Sequence, residues 1–394
     1  MGGGCLLAAT GDPDRLTGTR GERIAYLDHA ATTPMCAEAV AAMLPFLADH
    51  YGNPSGGHSV ARFAQRALDE AREELARLLG ASPGEIVFTS GGTEADNLAV
   101  AGFATGAGTV VCSAVEHPAV LETCRTVGGR TVGVDRRGVI DLDALSGALD
   151  EKVRLVSVML VNNETGVRQP LEAVAALVRE RAPRALLHSD AVQAFAWLDV
   201  AELSAGVDLL SVSAHKFGGP KGVGVLVVGE RASSLRPILH GGPQERERRA
   251  GTQNVAGIVA TAAAARATAR DREIAHRRVR DLATRLVGGI LGSVSGVHEA
   301  VPRDDRIDAI CNLGIEGVEA EELLVVLDEL GVCASAGSAC ASGAIEPSHV
   351  LLAMGRSSEE AKRHVRLSLG HATTAEDIDA ALAAFPKAVE RLRA

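Results

Sequence analysis

Two periodicities share this chain. Short apolar runs bounded by Gly, Pro or Ser, namely IVFTS (86–90), TVVCS (109–113), TVGV (131–134), LVSVML (155–160) and ALLHSD (185–190), read as strands. Between them lie helix-period segments over 91–100, from Pro118, near 142–149 and near 171–181. A further strand pair, 208–212 and 222–228, closes the series. Regular strand and helix alternation of this kind predicts an α/β fold, with a mainly parallel seven-stranded sheet covered by helices on both faces.

The flanks read differently. An extended run, YLDHAATTP (26–34), leads into helical patterns over 37–50 and 58–79, which the loop YGNPSGGH (51–58) separates. After 228 comes a polar loop (241–252), then an Ala-rich helix over 254–270 whose polarity rises from Asp271, and a helix reaching 291. A strand near 309–313, a helix over 319–330, a short strand at 331–333, a Ser/Ala/Gly-rich loop (334–346), a strand over 364–369 and a terminal helix over 375–392 make up a smaller α+β module. The expected organisation is a flexible leader (1–23), a large domain (24–270) and a small C-terminal domain (271–394).

Composition narrows the function. The 394 residues carry a formal net charge of -10 and only 3% aromatics, which speaks against nucleic acid as a partner and for a small-molecule site. Seven cysteines without CxxC pairing suit neither a disulfide framework nor a zinc site, and a reducing cytoplasm is expected. No apolar run reaches membrane length, and the first 23 residues lack a signal-peptide pattern.

Candidate chemistry gathers at strand ends. The run from Val207 to Val212 stops at Ser213 and delivers Ala214, His215 and Lys216 ahead of a Gly218-Gly219-Pro220 turn. A lysine so placed is partly desolvated, which lowers its pKa towards the free amine that a Schiff base needs. SGGTE (90–94), between a strand and a helix, is either a plain turn or a phosphate cradle built on a helix N-terminus. Asp190 ends the strand in HSDAVQ and serves either as a helix cap or as the partner of a cation, including the pyridinium nitrogen of pyridoxal phosphate. His117, in AVEHPAV, is a loop histidine or a ring that stacks on a flat cofactor. The amides of VNNETG form a turn or meet a polar ring substituent or a carboxylate. Arg366 in HVRLSLG needs an anion if it points inward and is ordinary surface if it does not. Cys340, among Ser, Ala and Gly, reads as a reactive loop thiol rather than a core cysteine.

Together YLDHAATTP, GNPS, FTSGGTE, EHPAV, NNETG, DAVQ, SAHK, GPKG, RAGT (249–252), GSACAS, EPSHVL and RLSLG, in this order and over nearly the whole chain from Tyr26, resemble the cysteine desulfurases. These belong to the fold-type I pyridoxal phosphate enzymes within the class V aminotransferases, and GSAC on a long loop resembles the nitrogen-fixation and housekeeping iron–sulfur subgroup. The resemblance implies pyridoxal 5'-phosphate carried on Lys216, with Asp190 on its ring nitrogen, Gln193 and Asn163 on the ring oxygen and His117 stacked on its face. Gly92, Thr93, Ser213 and His215 would hold the phosphate, with Thr252 reaching in from the second subunit of a homodimer. Asn163 and Arg366 would grip the carboxylate of L-cysteine. Cys340 would take its sulfur as a persulfide and pass it to an acceptor protein, leaving alanine. Selenocysteine lyase, another C–S lyase and an aminotransferase are the alternatives. His371, where the family often has arginine, and Ala341, where threonine often follows the cysteine, depart from the pattern.

Overall fold

A computed structural model of the chain describes residues 24–104, 106, 109–336 and 346–394. The expected leader and Cys340 lie outside the described residues.

Seven strands form the central sheet: β1 (Ile86–Thr89), β2 (Val110–Ser113), β3 (Arg130–Val132), β4 (Leu155–Ser157), β5 (Leu186–Asp190), β6 (Leu209–Ser213) and β7 (Gly224–Val228). Their spatial order is β1-β7-β6-β5-β4-β2-β3, and only β7 runs antiparallel to its neighbours. The mainly parallel sheet expected from the alternation is therefore present.

Strands buried on both faces must be apolar at successive positions, and these are. Leu155, Leu186, Leu209 and Leu226 pack on one side with Leu98, Ala99 and Val120. Val156, Leu187, Leu210 and Val225 pack on the other with Val174, Val178 and Ile258. The covering helices include α1 (Gly92–Ala101), α2 (Pro118–Thr126) and α3 (Leu171–Arg181).

The Ala-rich helix does not stop at 270. Asn254 caps it by accepting from the Gly257 amide (3.0 Å), and it continues as one 39-residue helix, α4 (Val255–Ser293). Its buried positions run from Val255 to Ala267 and resume at Val279, Ala283, Leu286, Val287 and Ile290, an i, i+3/i+4 spacing. The polar stretch between them is a solvent-facing segment of unbroken helix, since no Gly or Pro interrupts it. The expected boundary at 270/271 thus falls inside a continuous helix.

The C-terminal part holds an antiparallel sheet of β8 (Val297–Glu299), β9 (Ile310–Ile315) and β10 (His364–Ser368), with β9 central. β8 escaped the sequence reading. The N-terminal strand Ala25–Tyr26 pairs in parallel with Val332–Cys333, and Asp28 forms a β-bridge to Ser368. The first described residues are thereby tied to the last third of the chain and laid across the carboxyl edge of the large sheet. Among the described residues no helix is long and apolar enough to cross a membrane.

Candidate functional site

The carboxyl ends of the parallel strands open onto a cleft of about 570 Å³, the place where α/β sheets present their side chains. Ten residues expected at the site line it: Gly92, Thr93, His117, Asn163, Asp190, Gln193, Ser213, His215, Lys216 and Arg366.

Lys216 ends a single 3-10 turn that follows β6. The chain then reverses at Gly218, whose φ of 82° suits glycine, and a Cβ on Gly219 would fall 2.8 Å from that of Ala214. The lysine is consequently fixed at the strand end, where its Nζ donates to the carbonyls of Ala30 (2.5 Å) and Ala31 (2.8 Å). Burial, helped by the charge of Arg366, lowers its pKa from 10.5 to about 8, against the opposing pull of Asp190 and Asp28.

At one end of the cleft Gly92 opens α1, whose first-turn amides have no helical partner, and Thr93, Ser213 and His215 line the same cleft. A Cβ on Gly92 would come within 3.0 Å of Val192 Cγ2 and 3.4 Å of Ser213 Cβ, so the absence of a side chain keeps this cradle open. His215 Nδ1 pairs with Thr32 Oγ1 (3.1 Å), and burial, then the charge of Lys216, lower its pKa to about 4.

Asp190 lies on the floor. The Val192 amide donates to its Oδ1 (2.8 Å), yet burial raises its pKa to about 6, which marks a carboxylate short of positive charge. Two more acids stand near it. Asp96 and Glu116 are buried, Asp96 Oδ1 and Glu116 Oε2 have no hydrogen-bond partner among the described residues, and burial pushes both well above the carboxylate range. His188, held between Ser157 (2.8 Å) and Ser211 (3.0 Å), is neutral because burial lowers its pKa to about 3. With these groups uncharged, Asp190 is the acid of the floor best able to ionise for a cation.

His117 stands at the head of α2 and at the wall of the cleft at once. It caps α2 by accepting from the Ala119 amide at Nδ1 (3.1 Å), and its ring lines the cleft with a pKa lowered to about 4 by burial and by Lys216. Of the two adjacent amides, Asn162 braces the turn, accepting from Glu164 N and Thr165 N (both 2.9 Å), while Asn163 faces the cleft. Gln193 donates to Ala30 O (2.7 Å). Arg366 points inward, with its Nη2 2.7 Å from Asp28 Oδ1 and its Nη1 donating to Asn163 O (3.0 Å).

Two expected residues are not among those lining the cleft. Thr252 is exposed on the loop that follows Glu245, which is itself anchored by a two-pronged contact with Arg72 (2.8 and 3.0 Å). Cys340 is outside the described residues. The residues just before that segment are fixed in place: Ser335 lines the cleft and exchanges backbone hydrogen bonds with Arg366 (2.6 and 3.1 Å). Asp28, Asp96, Glu164 and His349 line the cleft without having been assigned a role from sequence, although YLDHAATTP and EPSHVL were the signals available. Behind Lys216 a second cavity of about 150 Å³ is lined by His29, Cys36, Trp197, Arg272 and the departing His371.

The family described as Aminotransferase class-V matches residues 25–381. The chain is 40% identical over 381 residues to "Cysteine desulfurase IscS" of Dictyoglomus turgidum (94% of this chain, 96% of that protein). It is 42% identical over 378 residues to "Cysteine desulfurase" of Gluconacetobacter diazotrophicus (93% and 94%). A solved structure titled "NIFS-LIKE PROTEIN" superposes with a TM-score of 0.86 at 34% identity, covering 93% of this chain and 100% of that one.

Proposed function

The chain belongs to the class-V aminotransferase family, and from that membership and the geometry of its cleft we propose that it is a pyridoxal-phosphate-dependent cysteine desulfurase. L-cysteine would become L-alanine, with the sulfur held as a persulfide on Cys340 before transfer to an acceptor for iron–sulfur cluster or thio-cofactor synthesis. The observation that carries this reading is the meeting of Lys216, Asp190 and the N-terminus of α1 in one cleft.

The residues fit the cofactor. A cradle that a Cβ would crowd suits its phosphate, and a buried carboxylate with a pKa near 6 lacks the cation that a protonated ring nitrogen would supply. When bound, pyridoxal phosphate supplies an electron sink. The chain's own groups do the rest: Lys216 takes the α-proton at Nζ, Asp190 keeps the ring nitrogen protonated, and Arg366 with Asn163 orients the substrate carboxylate. His117 is neutral near pH 7, and with Nδ1 used as an acceptor it carries its proton on Nε2. The Cys340 thiolate bonds to the substrate sulfur as the C–S bond breaks, and the carbon accepts a proton to give alanine. Incubating the purified protein with L-cysteine and pyridoxal phosphate tests this reading: stoichiometric alanine and persulfide are expected, and alanine-free turnover would exclude it.

Two outcomes follow from the site. Asp190→Asn is expected to retain cofactor but to slow alanine formation about 10²- to 10³-fold, because an amide cannot hold the ring nitrogen protonated; steady-state kinetics on the reloaded variant checks it. Covalent reloading of apoprotein needs the unprotonated Lys216 amine. Its rate should rise with pH and level off above about 8, rather than climb towards the ordinary 10.5, which stopped-flow absorbance can follow.

A homodimer is part of the proposal. The exposed apolar side chains of Leu44, Leu47, Tyr51 and Phe63 and the outward Thr252 support it. The free thiols of Cys36, Cys112, Cys124, Cys311 and Cys333 support a reducing, cytoplasmic setting.

A further inference from the structure

Arg366 already has a carboxylate. Its Nη2 meets Asp28 Oδ1 at 2.7 Å and its Nη1 meets a backbone carbonyl, while Nε is buried with no partner among the described residues. A guanidinium presents its donors as parallel pairs, and a carboxylate engages it fully through two oxygens. The Asp28 contact leaves Nε without an acceptor. Arg366 is therefore neutralised in charge and incompletely satisfied in hydrogen bonds.

The surroundings decide what can change. The backbone around Asp28 is fixed, since the Tyr26 hydroxyl donates to Asp28 O and Thr32 O (3.0 Å each) and His29 N donates to Ser368 O (3.3 Å). The Asp28 side chain is 20% exposed against 5% for Arg366, and it faces the same cleft, so it can rotate without disturbing its strand. A second carboxylate brought to Arg366 with Asp28 still in place would set two like charges against one cation, in a cleft that also holds Asp190.

We propose that Asp28 is a resident competitor for the substrate carboxylate: it occupies Arg366 until the carboxylate of an incoming amino acid replaces it, and so sets how tightly the site holds amino acids. This rests on the proposed role of Arg366 in binding that carboxylate. The exchange is favoured only for a ligand that brings two oxygens to Nη2 and Nε together. An amine without a carboxylate cannot displace Asp28, and a released Asp28 stays within the field of Lys216.

The test compares wild type, Asp28→Asn, Asp28→Ser and Arg366→Gln holoenzyme. L-Alanine binding is followed through the cofactor spectrum, with propionate as an amine-free competitor and cysteamine as a carboxylate-free probe, and propionate binding to the apoproteins is measured by calorimetry. Both Asp28 variants should bind L-alanine and propionate about fivefold more tightly, in holo and apo forms alike, with cysteamine affinity unchanged. KM for L-cysteine should fall as well. Unchanged or weaker carboxylate binding in the folded Asp28 variants overturns the proposal and leaves Asp28 as a brace for Arg366. Wild-type affinity for L-alanine and propionate in Arg366→Gln would instead overturn the reading of Arg366 on which it depends.

Discussion

Lys216→Ala is expected to abolish turnover, by at least about 10⁴-fold, and to remove every trace of cofactor that borohydride can fix to the protein. The amine is asked to do two things, carry the cofactor and move the α-proton, and its position serves both. It projects from the end of β6, its pKa of about 8 leaves a useful fraction unprotonated near neutrality, and the carbonyls of Ala30 and Ala31 hold Nζ without removing its charge. Lys221 cannot replace it. That residue is exposed and lies beyond a turn that Gly218 and Gly219 hold tight. The variant should still fold, since Lys216 makes no ion pair among the described residues and its alkyl stem lines a cleft rather than filling a core. Absorbance scans before and after borohydride, followed by mass analysis of the reduced protein, measure the outcome. A retained covalent adduct would move the attachment point elsewhere.

The large sheet was legible because parallel strands covered on both faces must be apolar along their length, and turn residues bound them cleanly. The reading failed where tertiary contacts override local pattern. The polar middle of α4 looked like a helix end, but with nothing to break the backbone it continues to Ser293. The strand Val297–Glu299 has only three residues and alternates too briefly to signal itself, so its existence depends on pairing with β9.

At the site, strand-end residues such as Lys216 and Asp190 could be picked out because the fold class assigns such positions to the carboxyl edge. Local pattern left Arg366 and the two asparagines unoriented, and only the resemblance singled out Asn163 and turned Arg366 towards a carboxylate. Which of Asn162 and Asn163 faces the cleft is fixed by the turn hydrogen bonds that Asn162 makes. Asp28 was invisible as a partner because its contact with Arg366 spans 338 residues and depends on the pairing of the two ends of the chain. Asp96 lies in the helix-period segment over 91–100 and was given no role from sequence. Its burial follows from the packing of α1 against the sheet, which local pattern does not report.

Cys340→Ser is expected to separate activation of the substrate from capture of its sulfur. The variant should bind pyridoxal phosphate and give the same spectral response to L-cysteine as wild type, because Lys216, Asp190 and Arg366 are untouched, yet alanine release should fall to background, at least about a thousandfold down. A hydroxyl at neutral pH is a far poorer nucleophile towards sulfur than a thiolate. None of the five described cysteines lines the cofactor cleft. Cys112, Cys124 and Cys311 are buried, and Cys36 opens on the second cavity behind Lys216 with its thiol raised by burial. Cys333, seven positions before Cys340, sits in a strand paired with Tyr26, and burial together with Asp328 raises its pKa, so it carries less thiolate than a free thiol. Cys333→Ser should accordingly keep most of the wild-type rate. Mass spectrometry of the wild-type enzyme quenched during turnover should find the additional sulfur on the peptide that contains Cys340. Sulfur on Cys333, or normal alanine release by Cys340→Ser, would reassign the nucleophile and leave the cofactor chemistry of Lys216 and Asp190 standing without it.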